Sequence, residues 1–356
     1  MKQRIDQLKR WIATHRKESL MIGGALLIVL AACIAVWVHY ATQVPPPEPV
    51  KQVAVKPKPE PKYYSLLTGV QVEDEAATTQ AVTAIMIENS PSARPHSGLQ
   101  QAGIVYEAIA EGGITRYLAL YQESKPELIG PVRSLREYNV DWITPYQASV
   151  AHVGGSKAAL DLVRNGQYRD IDQFFNAQAY WRATDRYAPH NVYTSFERLD
   201  TLNREKGYLK SEPASFKRTD GKAVAEPTAT NITINFSSAL YNTSYAYNVK
   251  DNNYTRNLAG QPHVDREKGI ITPSVIVAIR VNERTVMQDG LREEIQTSGE
   301  GKATIFQNGA VIEATWRKAD RAAPLELVDA EGEPIELVRG QTWIAAVPNG
   351  KGSVAW

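Results

Sequence analysis

The chain reads as an apolar membrane-anchor helix and a Pro-rich linker, then an α/β (or α+β) domain followed by a smaller β-rich domain. Three observations predict this. Residues 20–38 form one uninterrupted uncharged run. Residues 44–62 carry seven prolines. From residue 63 apolar runs of strand length alternate with helix-length segments, and beyond about residue 213 almost only strand-like runs remain.

The apolar run comes first. At 1.5 Å per residue it is long enough to cross a hydrocarbon core of ~30 Å. Lys2, Arg4, Lys9, Arg10, Arg16 and Lys17 precede it, and no charge follows until Glu48. This asymmetry predicts a cytoplasmic basic segment over 1–19, a single-pass helix over 20–40 and an extracytoplasmic remainder at the cell membrane. A second reading rests on Leu30-Ala31-Ala32-Cys33, which has the form of a bacterial lipoprotein cleavage box with Cys33 as the lipid-bearing residue. The stretch 41–62 cannot bury a core, and its prolines favour an extended polyproline II spacer.

Composition narrows the function. The 356 residues contain one cysteine, which excludes an intrachain disulfide framework and any Cys-cluster metal site. The net charge of +1 is a sum over unlike parts: +6 over residues 1–62, −4 over 63–214 and −1 over 215–356. An acidic ectodomain disfavours nucleic acid as a partner. No cofactor fingerprint and no HExxH-like metal spacing is present in the sequence.

Within the expected first domain, 63–212, the segments 82–88, 103–110, 114–122 and 147–153 read as strands, and 134–142, 156–165 and 195–206 as helices. Ser134 with Glu137 three residues on has the form of a capping box. In the expected second domain, 213–356, segments 232–236, 275–281, 303–307, 310–316 and 342–347 read as strands. Asn308-Gly309 is a hairpin turn signal between two of them.

Candidate site residues cluster at turns of the first domain. It holds ten Arg against four Lys, and Arg suits planar pairing with carboxylate or phosphate. Arg133 and Arg136 flank the expected helix start at Ser134, where two cations suit either a bound anion or an internal carboxylate. His152 leads into Gly154, Gly155 and Ser156, a strand–glycine–helix turn that could cradle an anion or simply turn the chain. Arg182, Arg186, His190 and Asn191 share a loop with Tyr180, Trp181 and Tyr187, whose rings could stack on sugars or fill the core. Arg94, His96 and Arg116 complete the set. Glu107 and Glu111, four apart, would face one side of a continuous strand, as an acid/base pair or as partners of Arg94 or Arg116. With His152 and His190 they are the candidates for catalysis. His263 and Asp265, near Arg256, read as a surface hairpin or as residues that a cleft between the domains could draw on.

Several runs together, AIMIENSPSARPHSGLQQAGIVYEAIAEGGITRYLALY, IGPVRSLREY, HVGGS, RYAPHNVYTS and GEGKATIFQNGAVIEATW, resemble the YerB-like lipoprotein family over about residues 65–350. The resemblance implies an extracytoplasmic bacterial protein of two domains without an assigned activity, and it gives Cys33 more weight. It carries over no catalytic residue. The expected function is binding of an anionic or carbohydrate cell-wall ligand through the Arg/His-rich site. The alternatives are an envelope hydrolase or transferase on glycosidic or phosphodiester bonds, and a scaffold for another envelope protein.

Overall fold

The computed structural model describes residues 1–43, 62–165, 168–286 and 292–356. The chain forms two compact units, Met1–Glu60 and Pro61–Trp356. Most of the expected linker, residues 44–61, lies outside the described residues.

In the first unit, helix α1 (Lys2–Thr14) is followed by helix α2 (Arg16–Thr42). The apolar run falls inside α2, whose mean hydropathy reaches 2.6 and whose apolar window is unburied. Cys33 is exposed on it. The basic segment ahead of the apolar run forms a helix of its own, which composition alone did not indicate.

The second unit is built on a ten-stranded sheet. Its strands in chain order are β1 (Thr83–Glu88), β2 (Ile104–Glu111), β3 (Ile114–Tyr121), β4 (Ser149–His152) and β5 (Arg169–Asp172). A five-stranded sheet uses β6 (Asn231–Asn235), β7 (Thr243–Asn248), β8 (Asn253–Leu258) and β9 (Gln261–Pro262). The large sheet continues with β10 (Val275–Val281), β11 (Gly299–Gln307), β12 (Ala310–Lys318), β13 (Glu326–Val328) and β14 (Thr342–Pro348), and β15 (Ser353–Ala355) completes the small one. The orders are β13-β12-β11-β10-β14-β2-β3-β1-β4-β5 and β9-β8-β7-β6-β15. The division expected at 212/213 therefore falls inside one sheet. Strand β14 lies between β10 and β2, parallel to both, with Trp343 opposite Val105 and Ile276. All seven residues of β14 are buried. A central strand covered on both faces needs apolar residues throughout, which explains its unbroken apolar run.

Alternating side chains of the sheet feed different cores. Met86, Tyr106 and Leu118 pack on one face with helix α3 (Glu137–Ile143) and helix α4 (Lys157–Asn165). Ile85, Val105 and Tyr117 pack on the other with helix α5 (Phe196–Glu205). Ile276, Ala278 and Ala345 pack against Ile232, Ile234 and Tyr245 of the small sheet. Ser195 caps α5, accepting from the Arg198 amide. Ser134 does not cap α3. Leu135 is held extended by backbone bonds to Gly154 and Ser156, so the helix begins only at Glu137.

Candidate functional site

Strand β1 ends in Glu88 and hands the chain to Asn89, Ser90 and a one-turn 3-10 helix, Pro91–Ala93. Residues 183–191 loop across this turn from the hairpin Tyr180–Arg182 and Val192–Thr194. Together with Arg266 they line a cleft of about 470 Å³ that includes Arg94, Asp185, Arg186, Tyr187 and His190. Three of the sequence candidates thus converge.

Arg186 fixes the turn. Its guanidinium donates to the carbonyls of Ser92 (3.0 Å), Arg94 (3.3 Å) and Pro95 (2.6 Å). Arg94 donates to the carbonyls of Asn89 (3.0 Å) and Leu240 (2.8 Å) and to Asn89 Oδ1 (3.1 Å). Among the described residues neither guanidinium forms an ion pair with a carboxylate. Neutral oxygens hold their geometry, and no carboxylate meets either guanidinium directly, although Asp185, whose carboxyl Arg266 first and Arg186 with it hold below the ordinary range, lies in the same cleft. Arg266, by contrast, pairs with Asp185 at 2.7 Å. Tyr187 is 92% exposed, whereas Tyr180 is buried and Trp181 lies under Arg198. Only Tyr187 offers an open ring face at the cleft.

His190 is held through one nitrogen. Its Nδ1 lies 2.8 Å from Glu88 Oε1, and the Ser90 hydroxyl donates to the same oxygen at 2.8 Å. Nε2 has no hydrogen bond among the described residues. A carboxylate on Nδ1 fixes the ring and leaves Nε2 for a ligand or a proton. Ser90 lies 3.2 Å from Nδ1, on the same side as Glu88. A nucleophile–histidine–carboxylate triad needs those groups on opposite nitrogens, so Ser90 is not an activated nucleophile. Arg133 closes the group at 3.4 Å from Glu88 Oε2. Asn191 and Arg182 brace the loop: Asn191 Nδ2 donates to the carbonyls of Ala183 and Arg186, and Arg182 donates to Asn191 Oδ1 at 2.7 Å.

Beneath the cleft runs a buried polar chain. Asn89, which holds Arg94, donates to Thr115 Oγ1 at 2.7 Å, and Thr115 donates to Glu107 Oε1 at 3.0 Å. Glu107 Oε2 accepts from Arg256 (2.7 Å) and from the Trp343 indole (2.9 Å). Arg256 donates in turn to His263 Nδ1. That bond makes Nδ1 the acceptor, so His263 Nε2 carries the proton toward His96 Nδ1, 2.9 Å away. Burial, with Arg94 and Arg256 adding repulsion, pushes His96 down to about 3. Burial and Arg256 likewise push His263 well below the ordinary histidine range. Both rings are neutral and structural.

The remaining candidates lie elsewhere. Glu107 and Glu111 do not act as a pair, because a bulge between Ile109 and Glu111 breaks the alternation of β2. Glu107 is fully buried in the chain above. Glu111 joins Arg116 (3.0 Å) to Arg136. Burial alone would raise the Glu111 carboxyl, but the two arginines hold it below its ordinary range. Arg133 and Arg136 therefore do not share an anion at the start of α3. His152 is fully buried, between the Gly154 carbonyl (2.8 Å) and Asp170 (2.9 Å). Gly154 takes a left-handed φ of 60° and donates to Asp172, and Ser156 caps α4 through the Ala159 amide. The Gly154-Gly155-Ser156 segment is a turn closed by Leu135 and Asp172. Val264–Asp265 and Gly269–Ile270 form the expected hairpin with Val264 and Ile270 exposed, but the His263 and Asp265 side chains are buried, Asp265 capping the amides of Gln100, Glu267 and Lys268.

Sequence reasoning missed Glu88, Asn89, Ser90 and Arg266. A charged residue ending a wholly apolar strand was the available signal for Glu88. A wider cleft of about 560 Å³ lies by α3 and α4, but five carboxylates against three cations line it, which does not suit an anion.

Residues 67–209 match the N-terminal domain, and 232–344 the C-terminal domain, of a family described as protein of unknown function DUF3048. The chain is 35% identical over 294 residues to YerB of Bacillus subtilis (strain 168), which is named as a candidate lipoprotein; 81% of this chain and 87% of that one are covered. The crystal structure of the YerB protein from Bacillus subtilis superposes with a TM-score of 0.74 at 31% identity, covering 83% of this chain and all of the other.

Proposed function

We propose, for a chain that belongs to the DUF3048 family of YerB-like, envelope-associated proteins, that the Arg94–Arg186–His190 cleft binds an anionic glycan of the cell envelope. The lipoprotein relative and the apolar α2 make the chain membrane-associated. The observation that carries the reading is the pair of guanidinium groups held by neutral oxygens. They retain their charge for a phosphate or carboxylate, and Arg matches such groups bidentately. The exposed Tyr187 ring supplies an apolar face for a sugar. Calorimetric titration of the full chain in detergent with a glycerol-phosphate polymer and with wall muropeptides tests it. Saturable binding that weakens at least tenfold in Arg94→Gln and in Arg186→Gln supports the reading; no binding, or equal binding in both variants, overturns it.

One observation favours a hydrolytic reading as the second choice. The Glu88–His190 pair resembles an oriented general base with Nε2 open. Release of product from a phosphodiester or glycoside, lost in His190→Gln with ligand binding kept, would separate hydrolysis from binding.

A further inference from the structure

Helix α1 has two unlike faces. Ile5, Leu8 and Ile12 recur at i, i+3 and i+7, and Trp11 flanks them. These side chains are 48%, 59%, 44% and 41% exposed, and none of α1 is buried. Asp6 and Arg10 lie on the opposite side, Lys2 and Lys9 border the stripe beside Ile5, and Arg4 lies between Trp11 and Leu8 with a stem long enough to carry its charge outward. Four cations stand against one acid, and Arg16 and Lys17 follow at once.

His15 separates α1 from α2. Its backbone, at φ −118° and ψ 49°, leaves the helical region, so α1 is not a straight extension of the apolar helix. Trp11 stacks on the His15 ring at 5.0 Å and places an aromatic group at this break. An apolar stripe bordered by basic residues, joined by one residue to a membrane-length helix, has the pattern of an interfacial helix. Its net charge complements acidic phospholipid headgroups, and Trp prefers the interface.

We infer that α1 lies on the cytoplasmic leaflet, with Ile5, Leu8, Trp11 and Ile12 in the acyl boundary and Lys2, Lys9 and Arg10 against anionic headgroups. The chain is then held by two membrane elements, and the segment persists only if the chain is not cut before Cys33. This surface is independent of the cleft, and its test leaves the cleft intact.

The test uses the full chain in nanodiscs, in a Cys33→Ala background, with spin labels at Leu8→Cys, Ile12→Cys, Asp6→Cys and Lys9→Cys. In bilayers containing phosphatidylglycerol, labels at 8 and 12 should be accessible to oxygen and shielded from a nickel chelate, and those at 6 and 9 the reverse. Adding Lys2→Gln should lower the ratio of docked to free label at position 12 by about fivefold. Uniform water exposure at all four positions overturns the docking. The same pattern in pure phosphatidylcholine overturns the role of anionic lipid. An intact mass showing that native protein from membranes lacks residues 1–32 overturns the whole inference.

Discussion

Arg256 and Arg186 are both guanidinium groups held by several partners, and they differ in what those partners are. Arg256 is fully buried, meets the Glu107 carboxylate at 2.7 Å and lies over the Trp343 ring at 4.1 Å. Arg186 is half-buried and meets three backbone carbonyls. The first charge is closed inside the fold, joining residues of the N-terminal family segment to residues of the C-terminal one. The second is oriented by neutral oxygens and meets no carboxylate directly, with Asp185 its nearest counter-charge in the cleft. The histidines repeat the contrast: His96 is sealed between His263 and Tyr117, whereas His190 gives one nitrogen to Glu88 and faces a cleft with the other free. Residue type does not separate the closed groups from the open ones; the charge of the partner and access to water do.

The largest effect that would break the comparison lies in the buried pair. Glu107→Gln leaves Arg256 without a counter-charge in a dry site and should cost about 3–5 kcal/mol in urea unfolding. A loss below about 1 kcal/mol would show that the pair does not close the interior. Acid should act next. His96 titrates at about 3 when folded, against 6.5 as its ordinary value. Between those values the unfolded chain binds the proton and the folded chain does not. Its contribution is thus complete above pH 6.5 and declines as pH falls toward 3, by about 1.4 kcal/mol per unit. Urea midpoints measured from pH 7 to 5 should fall, and the fall should be shallower in His96→Gln. An unchanged slope would mean that other groups set the acid limit.

In the cleft the effects should reverse. Arg186→Gln should change stability by no more than about 1 kcal/mol, since its carbonyl partners stay near water, while anion affinity falls at least tenfold. A large stability loss with unchanged affinity would move Arg186 into the structural class. The smallest effect belongs to Arg182, which is exposed and, among the described residues, braces Asn191 alone. Arg182→Gln should shift the urea midpoint by less than about 0.5 kcal/mol and leave affinity within threefold.

Much of the architecture was legible. The segments 82–88, 275–281 and 342–347 appear as strands almost to the residue, because sheet positions buried on both faces demand unbroken apolar runs. The α3 start was misplaced because the Leu135 backbone pairs with Gly154 and Ser156 some twenty residues on, and a capping pattern carries no trace of that. Arg94, Arg186 and His190 were legible as candidates; their convergence was not. The acid/base alternative for Glu107 and Glu111 failed at a bulge, since one inserted residue turns a shared face into two, whereas the pairing of Glu111 with Arg116 was legible.

By itself the sequence determined the anchor helix, the basic segment before it, the Pro-rich composition and most strands and helices. Those follow from properties of neighbouring residues: hydropathy over one helix length, periodicity and turn chemistry. Only the tertiary structure decided which charges are spent and which are kept. Glu107 finds Arg256 149 residues away, and Glu88 finds His190 102 residues away. A counter-charge at such separation is chosen by sheet order, and the insertion of β14 between β10 and β2 sets that order from the far end of the chain.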